Sequence, residues 1–151
     1  MKYWLAKSEP DVFSIDDLKK KQRTYWDGVR NYQARNYLKE WKVGDLVLYY
    51  HSNAKPSGIV GIAEVSKEAV PDQTQFDVKS EYFDPKSTEE KPIWFSPEVR
   101  FFEKFSDIIS LDELRLVKGL ENLELLRKGS RLSVIPVSSK EFTIIQKLST
   151  K

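Results

Sequence analysis

At 151 residues, with 40% hydrophobic and 32% charged residues, the chain has the balance of a soluble globular protein and reads as one domain, residues 1–151. It has no cysteine and one histidine, His51, which excludes disulfides and thiol chemistry and argues against a metal site. A formal net charge of +2 permits a nucleic-acid partner without demanding one, so any phosphate-binding cations must be gathered locally.

In chain order, "KYWLAK" (residues 2 to 7) is aromatic and aliphatic and predicts a first strand. Ser14, with Asp17 three residues on, predicts a capping box opening a short helix. Ala34, Leu38 and Trp41 share one face at helical spacing, which predicts a helix over 32–41 with Asn31 as its N-cap. "VGDLVLYYHS" (43 to 52) is apolar on both faces and predicts a central or barrel strand. "IVGIAEVSKEAV" predicts the next strand, with Gly61 marking a bend or a close backbone approach.

Residues 71 to 97 carry Pro71, Pro85, Pro92 and Pro97 and read as loop, with a possible strand at "FDVKSEYF". "EVRFFEKF" alternates as a strand should. Ser110 with Glu113 predicts a second capping box and one or two short helices to residue 128, broken at Gly119. "SRLSVIPV" predicts a long last strand. Ser138 with Glu141 caps a final helix that buries Phe142, Ile145 and Leu148. Strands and helices do not alternate regularly, which favours an α+β fold: a small, mostly antiparallel barrel flanked by short helices. No apolar run reaches roughly 18 residues, so no membrane span is expected. The opening residues turn polar too early for a signal peptide, and a cytoplasmic protein is expected.

Four stretches carry candidate chemistry. "TYWDGVRNYQARNYL" (24 to 38) breaks at Asp27-Gly28 and starts a helix at Asn31. Helix N-terminal amides attract anions, Arg30 stands beside them, and Arg35 follows one turn later. With Trp26 and Tyr32 this suits a nucleotide, base on ring and phosphate on amides and guanidinium groups. On composition alone the plainer reading outranks it: Trp26 and Tyr32 as core, Arg30 pairing a surface carboxylate. "KSEP" places Lys7, Ser8 and Glu9 at a strand end, where an ordinary polar turn closed by Pro10 is the stronger reading without context. "YHSN" places His51, Ser52 and Asn53 at another. A Ser52–His51 nucleophile is disfavoured, because adjacent strand residues point to opposite faces. "RKGSRLSV" sets Arg127, Lys128 and Arg131 around a Gly129 turn and serves equally as a phosphate seat or a solvated turn.

The stretches "YWLAKSEP", "YWDGVRNYQARN", "GDLVLYYHSN", "GIVGIAEV", "YFDPKS" and "RKGSRLSV", in this order, resemble the EVE domain family over essentially the whole chain. The resemblance implies a PUA-like fold related to YTH and ASCH domains. It implies a pocket for a nucleobase, often a modified one, in DNA or RNA. Carried over, the pocket residues are Lys7, Ser8, Glu9, Trp26, Gly28, Val29, Arg30, Asn31, Tyr32, His51, Ser52 and Asn53. Arg35 and Arg131 join them as phosphate contacts. The YTH likeness makes Trp26 the expected cage wall and Asn31 a reader of the base edge. The chain is taken as the bare domain, and bacterial cytoplasm as its natural home. No cofactor, metal or membrane partner is expected. A non-enzymatic reader is favoured. An enzyme acting on a modified nucleotide, with His51 or Glu9 as acid or base, is the alternative, and an interaction module with an incidental pocket is a third reading.

Overall fold

The computed structural model describes residues 1–150. Its strands are β1 (Tyr3–Ser8), β2 (Arg23–Tyr25), β3 (Leu46–His51), β4 (Gly58–Pro71), β5 (Phe95–Ser110) and β6 (Val134–Val137). They form one sheet in the order β2-β5-β4-β3-β1-β6. β3 is apolar on both faces because it lies inside that sheet, with one core on each side. Val47 and Tyr49 join Trp4, Ala6 and Val134 in the first core. Leu48 and Tyr50 join Leu5 and Ile135 in the second. The alternation is the period-two geometry of a strand.

Helices cover both faces. α1 (Pro10–Phe13), α2 (Ile15–Lys21) and α3 (Tyr32–Glu40) lie in the first half of the chain, and α4 (Leu111–Arg115) and α5 (Ser139–Leu148) in the second. Ile15, Leu18, Ala34 and Leu38 pack into the first core, and Leu114, Phe142 and Ile145 into the second. Leu148 is only half-buried. The expected capping boxes at Ser14–Asp17 and Ser138–Glu141 are both complete. At Ser110 only half of one forms: its hydroxyl accepts from the Glu113 amide. The stretch after it is α4 and a 3-10 turn at Glu124–Leu126.

Two expectations are corrected and a third is met in part. The strand expected at "FDVKSEYF" is a 3-10 turn (Gln73–Phe76) followed by polar turns. Asp77 and Asp84 accept backbone amides two residues on, and such local bonds compete with strand pairing. The last strand is four residues rather than eight. Third, the ladders describe an open sheet with β2 and β6 at its edges, and closure into a barrel is not part of them.

Two features of the sheet place the site. β1 and β3 are the parallel pair, in register from Tyr3↔Leu46 to Ser8↔His51, so both chains leave the sheet at the same end. The Ser52 amide then donates to the Ser8 carbonyl at 3.1 Å. The β4–β5 ladder carries repeated register shifts, and such bulges bend and coil a sheet. At Gly61 a side chain would collide with the Glu103 carbonyl, only 2.3 Å from its Cβ position. The bend carries edge strand β2 over the first core, where Trp26 meets Tyr49 of β3 edge-on at 5.4 Å.

Candidate functional site

A cavity of about 560 Å³ opens where these chain ends meet. Lys7, Ser8 and Glu9 come from the end of β1, and Ser52 and Asn53 follow β3. Trp26, Asp27, Gly28, Val29 and Arg30 form the turn after β2. Glu81 and Tyr82 come from the loop before β5, and Arg131 and Ser133 from the segment before β6. Val12, Phe13 and Tyr25 complete the walls. The volume is in the range of small-ligand pockets.

The turn is held by one buried carboxylate. Gly28 has φ +78°, a conformation glycine adopts freely. Its amide donates to Asp72 Oδ2 at 2.8 Å. A Cβ on Gly28 would sit 2.9 Å from the Tyr82 ring, so the turn and that ring are in direct contact. Asp72 is fully buried. Its other oxygen accepts from the Thr74 amide and hydroxyl. Burial pushes its proton affinity up, but the bonds from Thr74, Gly28 and Arg30 outweigh it and hold the carboxyl below its ordinary value.

Arg30 completes this clamp. Its Nη1 lies 3.1 Å from Asp72 Oδ2 and also donates to the Val29 carbonyl. Nε and Nη2 donate to the Tyr82 carbonyl, and Nη2 also to Thr74. A guanidinium has five N–H donors, and these five bonds occupy all three nitrogens. Arg30 therefore lines the cavity while its donors point into the protein, contrary to the free phosphate seat expected of it. Its planar group lies between Tyr82 and Trp94, 5.5 and 5.2 Å from their centroids.

Four expected residues lie outside the lining. Asn31 caps α3, its Oδ1 accepting from the Ala34 amide at 2.9 Å, which occupies the oxygen proposed for a base edge. Tyr32 is 58% exposed and lies against Trp94. Arg35 stacks over Tyr32 and donates to the Ile93 carbonyl and to Asn36. His51 turns away, its Nε2 accepting the Ile15 amide at 3.1 Å. It thereby satisfies one of the unpaired donors at the start of α2. His51 is not among the residues that line the cavity.

His51 has a consequence for stability. Burial, aided by Lys104 and opposed by Asp16 and Asp17, holds its pKa below the ordinary 6.5. The unfolded chain then takes up this proton more readily than the folded one. The contribution is complete above the ordinary value and is lost as pH falls through the folded one. We expect the melting temperature to drop as pH falls below the ordinary 6.5, and a His51→Gln variant to drop less. Parallel profiles for the two would remove His51 from the account.

Trp26 is 8% exposed and belongs to the first core, so it offers the cavity an edge rather than a freestanding wall. The polar lining is mixed: cations Lys7, Arg30 and Arg131 face acids Glu9, Asp27 and Glu81. Burial draws the Lys7 ammonium below its usual pKa. Glu9 accepts from the Asn53 amide at 2.6 Å, and Ser8 donates to the Phe13 carbonyl at 2.9 Å. The sequence reading did not assign Asp27, Glu81, Tyr82 or the phenyl and phenol rims Phe13 and Tyr25 to the site. Tyr82 begins "YFDPKS", one of the stretches that carry the family resemblance. Among the described residues no group of three potential ligands could hold a metal ion. No helix there is long and apolar enough to cross a membrane.

The EVE domain model matches residues 2–148. Human thymocyte nuclear protein 1 is 40% identical over 168 residues, spanning 99% of this chain and 74% of that protein. A crystal structure of human THYN1 protein in complex with 5-methylcytosine-containing DNA superposes with a TM-score of 0.92 at 40% identity, covering 100% of this chain and 99% of that one. A Pseudomonas syringae protein of known structure reaches a TM-score of 0.95 at 46% identity, over 97% and 99% of the two chains. The YTH domain of Zygosaccharomyces rouxii MRB1, solved with N6-methyladenosine RNA, shares the fold at a TM-score of 0.56 and 15% identity, over 98% and 86%.

Proposed function

The chain belongs to the EVE domain family, and from that premise we propose that it is a non-enzymatic reader of a modified nucleobase in DNA or RNA, acting as one domain over residues 1–151. The observation that carries the reading is the 5-methylcytosine DNA complex of a relative aligned along the whole chain. The cavity adds a second support, since it is of ligand size and has aromatic edges beside convergent polar groups. The proposed lining is Lys7, Ser8, Glu9, Trp26, Gly28, Val29, Arg30, Ser52, Asn53 and Arg131. Asn31, Tyr32, Arg35 and His51 lie outside that lining, bonded to or packed against Ala34, Trp94, Ile93 and Ile15. The compartment proposed is the cytoplasm, on the cysteine-free composition; the word nuclear belongs to the relatives.

A base inside a duplex cannot enter such a cavity, so it arrives single-stranded or flipped. Stacking on Trp26 and Tyr82 contributes roughly 1–3 kcal/mol. A buried methyl adds about 0.8 kcal/mol, or about fourfold in affinity. Phosphates fall to Lys7 and Arg131, because Arg30 and Arg35 are bonded within the protein.

The test is fluorescence anisotropy with single-stranded oligonucleotides carrying one central 5-methylcytosine or cytosine, as DNA and as RNA. The methylated strand is expected to bind about fourfold tighter. Replacing Arg131 with alanine should weaken both strands alike and flatten the log–log salt slope by about 0.7. Equal affinity for the two strands at every salt concentration would refute the reader. No observation favours the enzyme reading, since His51 faces Ile15 and Glu9 holds Asn53.

A further inference from the structure

We infer that Asp27 selects the base by its edge, admitting one with an exocyclic amine beside a ring nitrogen and rejecting one with a keto oxygen there. The inference rests on the pocket reading proposed above and assigns its specificity to a residue that reading leaves out.

Asp27 lies between Trp26, which gives the cavity its aromatic edge, and Gly28, whose amide is fixed by Asp72. Its backbone is thus pinned on both sides. Asp27 lines the cavity, and among the described residues its carboxyl makes no ion pair and accepts no bond from another side chain. The other two acids of the lining differ in this respect or in position. Glu9 is occupied by Asn53. Glu81 sits on the loop before β5, outside the turn that carries Trp26. Of the two cations whose charge reaches it, Arg30 and Lys21, Arg30 has its nitrogens committed to Asp72, Thr74 and two carbonyls, and neither is ion-paired with it. A carboxylate that no other side chain engages, on a backbone held beside it, is an acceptor open to a donor.

The chemistry follows from what a carboxyl can exchange. An ionised carboxylate only accepts, so it takes an amine N–H and repels a carbonyl oxygen. Partial desolvation and the Asp72 carboxylate raise the proton affinity of Asp27, opposed by its own backbone amide, Arg30 and Lys21, and a carboxyl that holds a proton can offer it to the adjacent ring nitrogen. Together these match the amine-and-ring-nitrogen edge that cytosine and adenine carry and that thymine and uracil lack. Discrimination of this kind is partly repulsive: a keto base leaves two acceptors facing each other.

The experiment measures binding of four single-stranded oligonucleotides with one central 5-methylcytosine, adenine, thymine or abasic site, by wild-type protein and by Asp27→Asn. The wild type is expected to favour an amino base over thymine by about tenfold or more, the scale of one good base-edge contact. The carboxamide carries both a donor and an acceptor, so Asp27→Asn should lose most of that preference by gaining thymine binding. Asp27→Ala, which removes the group, should weaken the amino bases without gaining thymine. Melting temperatures for both variants close to wild type establish that the fold is intact. If the wild type prefers the amino bases and Asp27→Asn keeps the same ratio, Asp27 is not the selector, while the pocket reading stands. If the wild type binds all four strands equally, base reading fails as a whole and the inference with it. Separate affinities for adenine and cytosine identify which source of the shared edge the cavity takes.

Discussion

Trp26→Ala is expected to destabilise the fold by about 3–5 kcal/mol and to abolish oligonucleotide binding together with it. A pure cage wall, as the YTH likeness implies for this indole, would lose binding far more than stability on truncation. At 8% exposure, packed edge-on against Tyr49 in the first core, it is also a structural residue. Removing it leaves a void between the turn after β2 and the middle of the sheet, and cavities of that size are paid for in folding energy. Trp26→Phe separates the two roles, because it refills much of the core and shortens the edge offered to a base. Urea denaturation beside anisotropy gives both quantities. An alanine variant with near-wild-type stability would mean that the contact with Tyr49 contributes little.

Asp72→Ala is the second large effect, expected at about 3 kcal/mol or more. The carboxylate is fully buried and holds the Gly28 amide, Thr74 and Arg30 at once. Its removal strands the Arg30 charge, whose side chain is only 22% exposed, and breaking such a pair costs more than its formation returns. The turn that carries Trp26 and Asp27 then loses its anchor, so binding should fall as well. Acid gives the same result reversibly. A carboxyl with lowered pKa stabilises the fold fully above its ordinary 3.8 and loses that contribution as pH falls through its folded value. Wild-type protein should show this acid limb in thermal melts, and the variant should lack it. An acid limb of equal size in the variant would assign the effect to other carboxylates.

Local chemistry made much of the fold legible. Ser14, Asn31 and Ser138 announced their helices because a side-chain oxygen three residues before a free amide is a sequence-local fact. β3 announced its interior position because both its faces are apolar. The failures came from distance. The polar turns at 77–84 bear aromatic residues that imitate a strand, but the aspartates capture the amides a ladder needs. Arg30 looked like a phosphate ligand, and its partners lie 42 and 52 residues away at Asp72 and Tyr82. Asn31 had two readings, cap and base reader, and the helix nearest to it took the oxygen. Asp27 went unassigned because spacing alone does not reveal whether a carboxylate has a partner.

The cavity walls come from five stretches that begin at Lys7 and end at Ser133. No fragment of the chain contains the site, and no partly unfolded form that releases β1, β3 or the segment before β6 retains it. Occupancy is therefore linked to global unfolding. A molecule at about one hundred times its dissociation constant would raise the unfolding free energy by about 2.7 kcal/mol. That protection should extend to amides in the centre of the sheet, far from any contact with the bound group, and slow their hydrogen exchange as much as those at the rim. Exchange kinetics of β3 and β4 would then report the ligand, even one whose identity had to be found by screening.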